Sequence, residues 1–161
     1  MKAIVLALYL GAVSLWAAGA EIHWMDYTKA QKLSRQDSLF TFVDVYADWC
    51  GPCKAMEVTT FRDSTVARIL NQNFHSVRLN AESQEIISCN NWPRKVSDCV
   101  MENWKLQGVP SFVLLGPSGN YLLSVTQALG PKEMNQLLLQ FLSNRKILLE
   151  SDRSSGAPHD R

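Results

Sequence analysis

The chain has 161 residues, 47% of them hydrophobic, which suits a single domain with its own core, and nothing in it suggests a second. Sixteen Lys and Arg stand against fifteen Asp and Glu, and this balance excludes nucleic acid or an anionic lipid surface as a partner held by bulk charge.

The N-terminus begins Met1-Lys2, continues through an uncharged stretch from Ala3 to Ala20 and ends on the small residues Ala18-Gly19-Ala20. This is the form of a secretory signal cleaved after Ala20, which implies a periplasmic or otherwise exported protein. An uncleaved anchor stays open as an alternative, because about eighteen uncharged residues reach the lower edge of what crosses a bilayer. Cleavage would leave no stable membrane insertion, and no cysteine follows the cleavage point to carry a lipid. The domain is expected over 21–150, after a signal over 1–20.

Asp26 is placed to cap a helix over Tyr27 to Gln36. Leu39 to Ala47 is an apolar, β-branched and aromatic run that reads as a buried strand. Cys50-Gly51-Pro52-Cys53 follows, and Lys54, Ala55, Met56 and Glu57 after it favour helix. Pro52 is tolerated in a first turn, where its missing N–H has no partner to lose. The active-site helix breaks near Arg62-Asp63-Ser64, and Asp63 or Ser64 caps a second stretch through Leu70. Phe74 to Asn80 alternates as a strand, Val96 to Leu106 reads as helix, and Phe112 to Leu115 as a strand. Gly116 to Asn120 turns that strand into Tyr121 to Thr126, an antiparallel hairpin. A last helix is expected from Pro131 to Leu149, and 151–161 reads as a disordered tail.

Two thiols at C-x-x-C spacing where a strand meets a helix can close a reversible disulfide. Free backbone N–H groups and the helix dipole there favour a thiolate, lowering the pKa of Cys50 from about 8.5 and making it the nucleophile. A zinc site would need a second ligand pair, and His23, His75 and His159 are scattered. An inert disulfide remains the other alternative, although such bonds usually join distant segments. No metal and no cofactor are expected.

The segment Val43-Asp44-Val45-Tyr46-Ala47-Asp48-Trp49-Cys50-Gly51-Pro52-Cys53-Lys54 resembles the active-site segment of the thioredoxin family, and Gly108-Val109-Pro110-Ser111-Phe112 resembles its second hallmark. A closer resemblance is to the C-terminal periplasmic domain of the disulfide reductase DsbD, carried by Tyr46 to Cys50 with Lys54, Glu57, Thr60 and Phe61. The chain departs from DsbD in having Gly51-Pro52 between its cysteines, and from thioredoxin in lacking the proline that kinks the active-site helix.

The resemblance implies an α/β thioredoxin fold, a central mixed β-sheet with helices on both faces, and a cis bond before Pro110. It implies protein disulfides as substrates, paired through Val109 and Pro110 and bordered by Trp49, Gly51 and Pro52. It also assigns Asp44 a proton-accepting role toward Cys53, consistent with the raised pKa of a carboxyl in apolar surroundings. Glu57, four residues after Cys53, falls on the same helix face and is a candidate for tuning both thiols.

Ser88 to Cys99 reads as an insertion before the cis-Pro loop. Its pair Cys89 and Cys99 is expected as a structural disulfide, with electron relay to a partner as the alternative. Together these features predict an exported thiol:disulfide oxidoreductase, reducing protein disulfides as a monomer and recharged by a membrane-embedded thiol donor. A reductant for cytochrome c maturation and a thioredoxin-like binding or chaperone module are the rival readings.

Overall fold

In the computed structural model, which describes residues 21–155, strand β2 (Phe40–Tyr46) is the axis. Six of its seven residues are buried, because it has a strand on each edge and packed side chains on each face. It pairs in parallel with β3 (Phe74–Asn80), from Phe40 opposite Phe74 to Tyr46 opposite Asn80. On its other edge it runs antiparallel to β6 (Ser111–Leu115), Val45 lying opposite Ser111. The two-residue strand β1 (Trp24–Met25) extends the sheet beyond β3, and β7 (Tyr121–Thr126) extends it beyond β6, giving the order β1-β3-β2-β6-β7.

Alternation along β2 divides the interior into two cores. Phe40 and Phe42 point to one face, where Phe61, Phe74, Phe112 and Phe141 meet them. That face is covered by α2 (Gly51–Val58), α3 (Ser64–Asn73) and α5 (Pro131–Ser143) through Met56, Leu70 and Leu138. Val43 and Val45 point to the opposite face, with Val77, Leu79, Val113 and Leu115, and α1 (Tyr27–Asp37) packs there through Tyr27 and Ala30. The caps fall where the residue types suggested. Asp26 accepts from the Lys29 amide at 2.7 Å, and Asp63 accepts from the Thr65 and Val66 amides, each at 2.9 Å.

The inserted segment has structure of its own. Strands β4 (Ile86–Cys89) and β5 (Trp92–Lys95) form an antiparallel hairpin. Its tip, Asn90-Asn91, has both φ angles in the left-handed region, which asparagine tolerates and a tight hairpin requires. The helix expected over Val96 to Leu106 is shorter. One α turn, α4 (Val96–Asp98), runs into a π turn (Cys99–Asn103) that the Trp104 amide closes on the Cys99 carbonyl at 2.9 Å. The wider turn puts Cys99, Val100 and Trp104 together in the second core, and Lys105 at φ 51° ends it.

The C-terminal region also departs from expectation. The helix from Pro131 stops at Ser143, and a separate α6 (Arg145–Ser155) follows. Residues 151–155, assigned to a disordered tail, are therefore helical, and the domain extends past residue 150. The reason is a contact distant in sequence: Asp152 is buried and accepts hydrogen bonds from the amide and hydroxyl of Ser118 in the β6–β7 turn. The expected signal over 1–20 and tail residues 156–161 lie outside the described residues. Among the described residues, no helix is long and apolar enough to cross a membrane.

Cys89 and Cys99 are disulfide-bonded across 10 residues of sequence, and neither is exposed to solvent. Closing a loop this short stabilises the fold by about 2 to 3 kcal/mol in the chain-entropy picture. C89A/C99A should lower the unfolding free energy by at least about that amount in a urea titration, since the bond also fills core space; an unchanged midpoint would show that the hairpin holds without it.

Candidate active site

The buried strand β2 delivers Ala47 to a tight turn, where the Cys50 amide bonds the Ala47 carbonyl at 3.0 Å. Cys50 is the N-cap of α2, its sulfur accepting the Cys53 amide at 3.2 Å. This N–H has no partner inside the helix, so the geometry aims an otherwise unpaired donor and the positive helix end at the sulfur. The two cysteines are joined, with Cα atoms 5.3 Å apart. In this oxidised state they are only 2% and 4% exposed.

Val109-Pro110 is cis, and Val109 packs on the cysteines with Ala47 and Tyr46. The Ser111 hydroxyl donates to the Gly108 carbonyl at 2.7 Å and closes that loop. A side-chain carbon added at Gly51 or Gly108 would meet nothing within 4 Å, so both glycines border open space through which a chain can approach the disulfide. Pro52 is exposed in the first turn of α2. Trp49 is 70% exposed, and its indole N–H donates to Glu82 Oε1 at 3.0 Å.

Asp44 lies on the face of β2 shared with Phe42, under α2. Its side chain is 3% exposed, and burial raises its carboxyl from the ordinary range to about 6. Arg78, directly opposite on β3, opposes that shift through an Nε contact to Asp44 Oδ2 at 3.0 Å, while Glu57 adds a small push upward. Glu57 does not stand alone over the thiols: its Oε1 meets Arg78 NH1 at 3.1 Å. Arg78 also lies over the Tyr46 ring, 4.7 Å from its centroid, and 5.7 Å from that of Trp24. Asp44, Arg78 and Glu57 thus form one buried-to-surface charge group that joins β2, β3 and α2.

Arg78 and Glu82 are the residues that sequence reasoning missed. The signal for Arg78 was an arginine at an inward-alternating position of a strand, which demands a buried counter-charge. Glu82 carries no local signal, since its partner Trp49 lies 33 residues away. Cys89 and Cys99 sit in the second core, not among the groups around Cys50. Among the described residues, no cluster of His, Cys, Asp and Glu could hold a metal.

Residues 27–142 match the family described as the thioredoxin-like domain. The chain belongs to that thioredoxin-like family. Its relatives include the thiol:disulfide interchange protein DsbD of Pseudomonas fluorescens, 28% identical over 118 residues, a match that covers 70% of this chain and 18% of the relative. The chain thus spans less than a fifth of that protein. Among solved structures, a thioredoxin from Thermus thermophilus superposes with a TM-score of 0.64 at 17% identity, covering 78% of this chain and 90% of that one. The reduced C-terminal domain of Neisseria meningitidis DsbD gives 0.53 at 16% identity, covering 73% and 97%. At these identities the structural likeness speaks for the fold, which is the mixed sheet with helices on both faces that the sequence implied.

In this thioredoxin-like chain the raised carboxyl of Asp44 makes stability depend on pH. A folded-state pKa near 6, above the ordinary 3.8, means that the folded chain holds this proton more tightly than the unfolded chain. The contribution is full below about pH 4 and is lost as pH rises through about 6. D44N, which stays neutral, should therefore gain on the wild type by up to about 3 kcal/mol between pH 4 and pH 8. Urea titrations of both proteins across that range check it; a difference that does not vary with pH would rule out the raised carboxyl.

Proposed function

We propose that the chain is an exported thiol:disulfide oxidoreductase that reduces disulfides of other proteins through Cys50 and Cys53. The observation that carries this reading is Cys50 capping α2 with the Cys53 amide on its sulfur, at the end of the strand that buries the Asp44 carboxyl near pKa 6. In the reduced enzyme the Cys50 thiolate attacks one substrate sulfur, the other leaves as a thiolate, and a mixed disulfide forms. Asp44, mostly ionised at neutral pH, accepts the Cys53 proton. The Cys53 thiolate then attacks Cys50 Sγ and expels the remaining substrate sulfur. Two electrons have passed to the substrate, and Cys50–Cys53 is the oxidised product.

The direction is supported by Gly51-Pro52, the pair found between the cysteines of thioredoxin, whose potential is about −270 mV. A reductase outside the cytosol needs its electrons brought across the membrane, so a membrane-embedded thiol donor recharges the dithiol. The DsbD relatives support that partner, and the signal-like N-terminus supports export.

The reduced protein should cleave insulin disulfides, and C50S should abolish this, whereas a binding module would keep its function without the thiol. C53S expressed in native cells should accumulate a mixed disulfide on Cys50, and the captured protein identifies the substrate; a cytochrome c apoprotein there would favour the maturation reading. A measured potential above about −180 mV, the range of disulfide isomerases, would reverse the direction assigned here. The rate of the resolving step should fall below about pH 6, as Asp44 takes up its proton and can no longer accept one, and D44N should lose that limb.

A further inference from the structure

A cavity of about 420 Å³ opens between the edge strand β1, strand β3 and the end of α2. Its apolar lining is Ile22, Trp24 and Phe61, the two aromatic side chains meeting edge to face with centroids 5.3 Å apart. Arg78, Arg62, Glu57 and Glu21 surround that lining. The wall before β1 is pinned, because Asn71 accepts from the His23 amide at 2.9 Å and donates to the Glu21 carbonyl at 2.7 Å. The four charges differ in how firmly they are held. Arg78 is fixed by Asp44 on its Nε and by the Tyr46 and Trp24 rings, and its side chain is only 23% exposed. The side chains of Glu21 and Glu57 are 79% and 52% exposed, so their ion pairs are weak and their carboxylates are free to swing into water. The charge built into the wall is the positive one.

We propose that this cavity binds a small amphipathic carboxylate, its charge on Arg78 and Arg62 and its apolar body on Trp24 and Phe61, and that occupancy is transmitted to Asp44. The size is that of a small-ligand pocket, and the lining has the usual form, an apolar floor with a few placed polar groups. A guanidinium matches the two oxygens of a carboxylate, and the contacts to Asp44 and Glu57 use only part of the donor fork of Arg78. Glu21 already meets Arg62 at 3.1 Å as a tethered carboxylate, and an incoming one takes its place. An ammonium group there would face Arg78, which is not free to turn away. Transmission follows from sharing: the guanidinium that receives the ligand is the one whose Nε balances Asp44, so the two carboxylates compete for its charge. The binding site goes beyond the reductase reading, and only the use made of Asp44 rests on it.

Calorimetry and the Trp24 indole N–H resonance follow titration of the oxidised protein with phenylacetate, 2-phenylacetamide and phenethylamine, which share a ring and differ in charge. Phenylacetate should bind saturably and at least about tenfold more tightly than the other two, the worth of a hydrogen bond to a charged group. R62Q should weaken it by about threefold, and E21Q and E57Q, which remove competing carboxylates, should each tighten it by about the same factor. D44N should tighten it by about twofold or more, since Arg78 then has one carboxylate fewer to balance. Arg62 and Glu21 are exposed, so an unchanged thermal midpoint certifies the fold of their variants. No saturable binding of phenylacetate, equal binding of the amide or the amine, a Trp24 resonance that does not move, or weakening by E21Q would overturn the site. D44N binding phenylacetate as the wild type does would overturn the transmission to Asp44. Insulin reduction by the same preparations tests the reductase reading separately, so neither result decides the other.

Discussion

A carboxyl group in the middle of a doubly covered strand is the constraint around which this molecule is arranged. Asp44 has no water to solvate its charge, and removing a carboxylate from water is costly unless a partner is built beside it. The partner is Arg78 at the matching register of the neighbouring strand, and Arg78 is itself held by Glu57 and by the Tyr46 ring. Ion pairs of this kind add little net stability. Here the pair leaves the proton affinity near neutrality, where a carboxyl can both take and release a proton. The same strand that buries the acid ends at the turn carrying Cys50, so one element sets the acid and the thiol.

The two faces of the sheet divide the work. The aromatic face seats α2 and gives the dithiol a rigid base through Phe42, Phe61 and Met56. The aliphatic face would be thin without the insertion and its flanks: Cys89 and Cys99, with the adjoining Ile87, Val100 and Trp104, complete its core. A segment that looks in sequence like an excursion from the fold is thus part of its interior.

Where local pattern and tertiary structure agree, the sequence could be read. Leu39 to Ala47 had enough apolar length to be a central strand, Asp26 and Asp63 had cap chemistry, Gly116 to Asn120 had turn chemistry, and C-x-x-C before helix formers placed the dithiol. The remainder depended on partners far along the chain. Strand β5 is exposed at all four positions and contains a proline, so it shows no alternation, and its pairing with β4 rests on the left-handed Asn90-Asn91 tip. The pairing of Arg78 with Asp44 requires the β2–β3 register. The serine-rich stretch at residues 151–155 has no apolar periodicity and is ordered because Asp152 meets Ser118, 34 residues earlier.

That last contact also fixes which end of the central sheet carries the C-terminal helix. Gly116 has no room for a side chain, because an added carbon would meet the Asp152 carboxyl, and Arg145 at the start of α6 bonds the Ser38 carbonyl at 3.0 Å. Both anchor points lie at the entry end of β2, and Cys50 lies beyond its exit end. Anything fused to the chain after α6, such as a tag, a surface linker or a second protein, would therefore be carried by the pole away from the dithiol. The protein can be immobilised there with its reactive end facing outward.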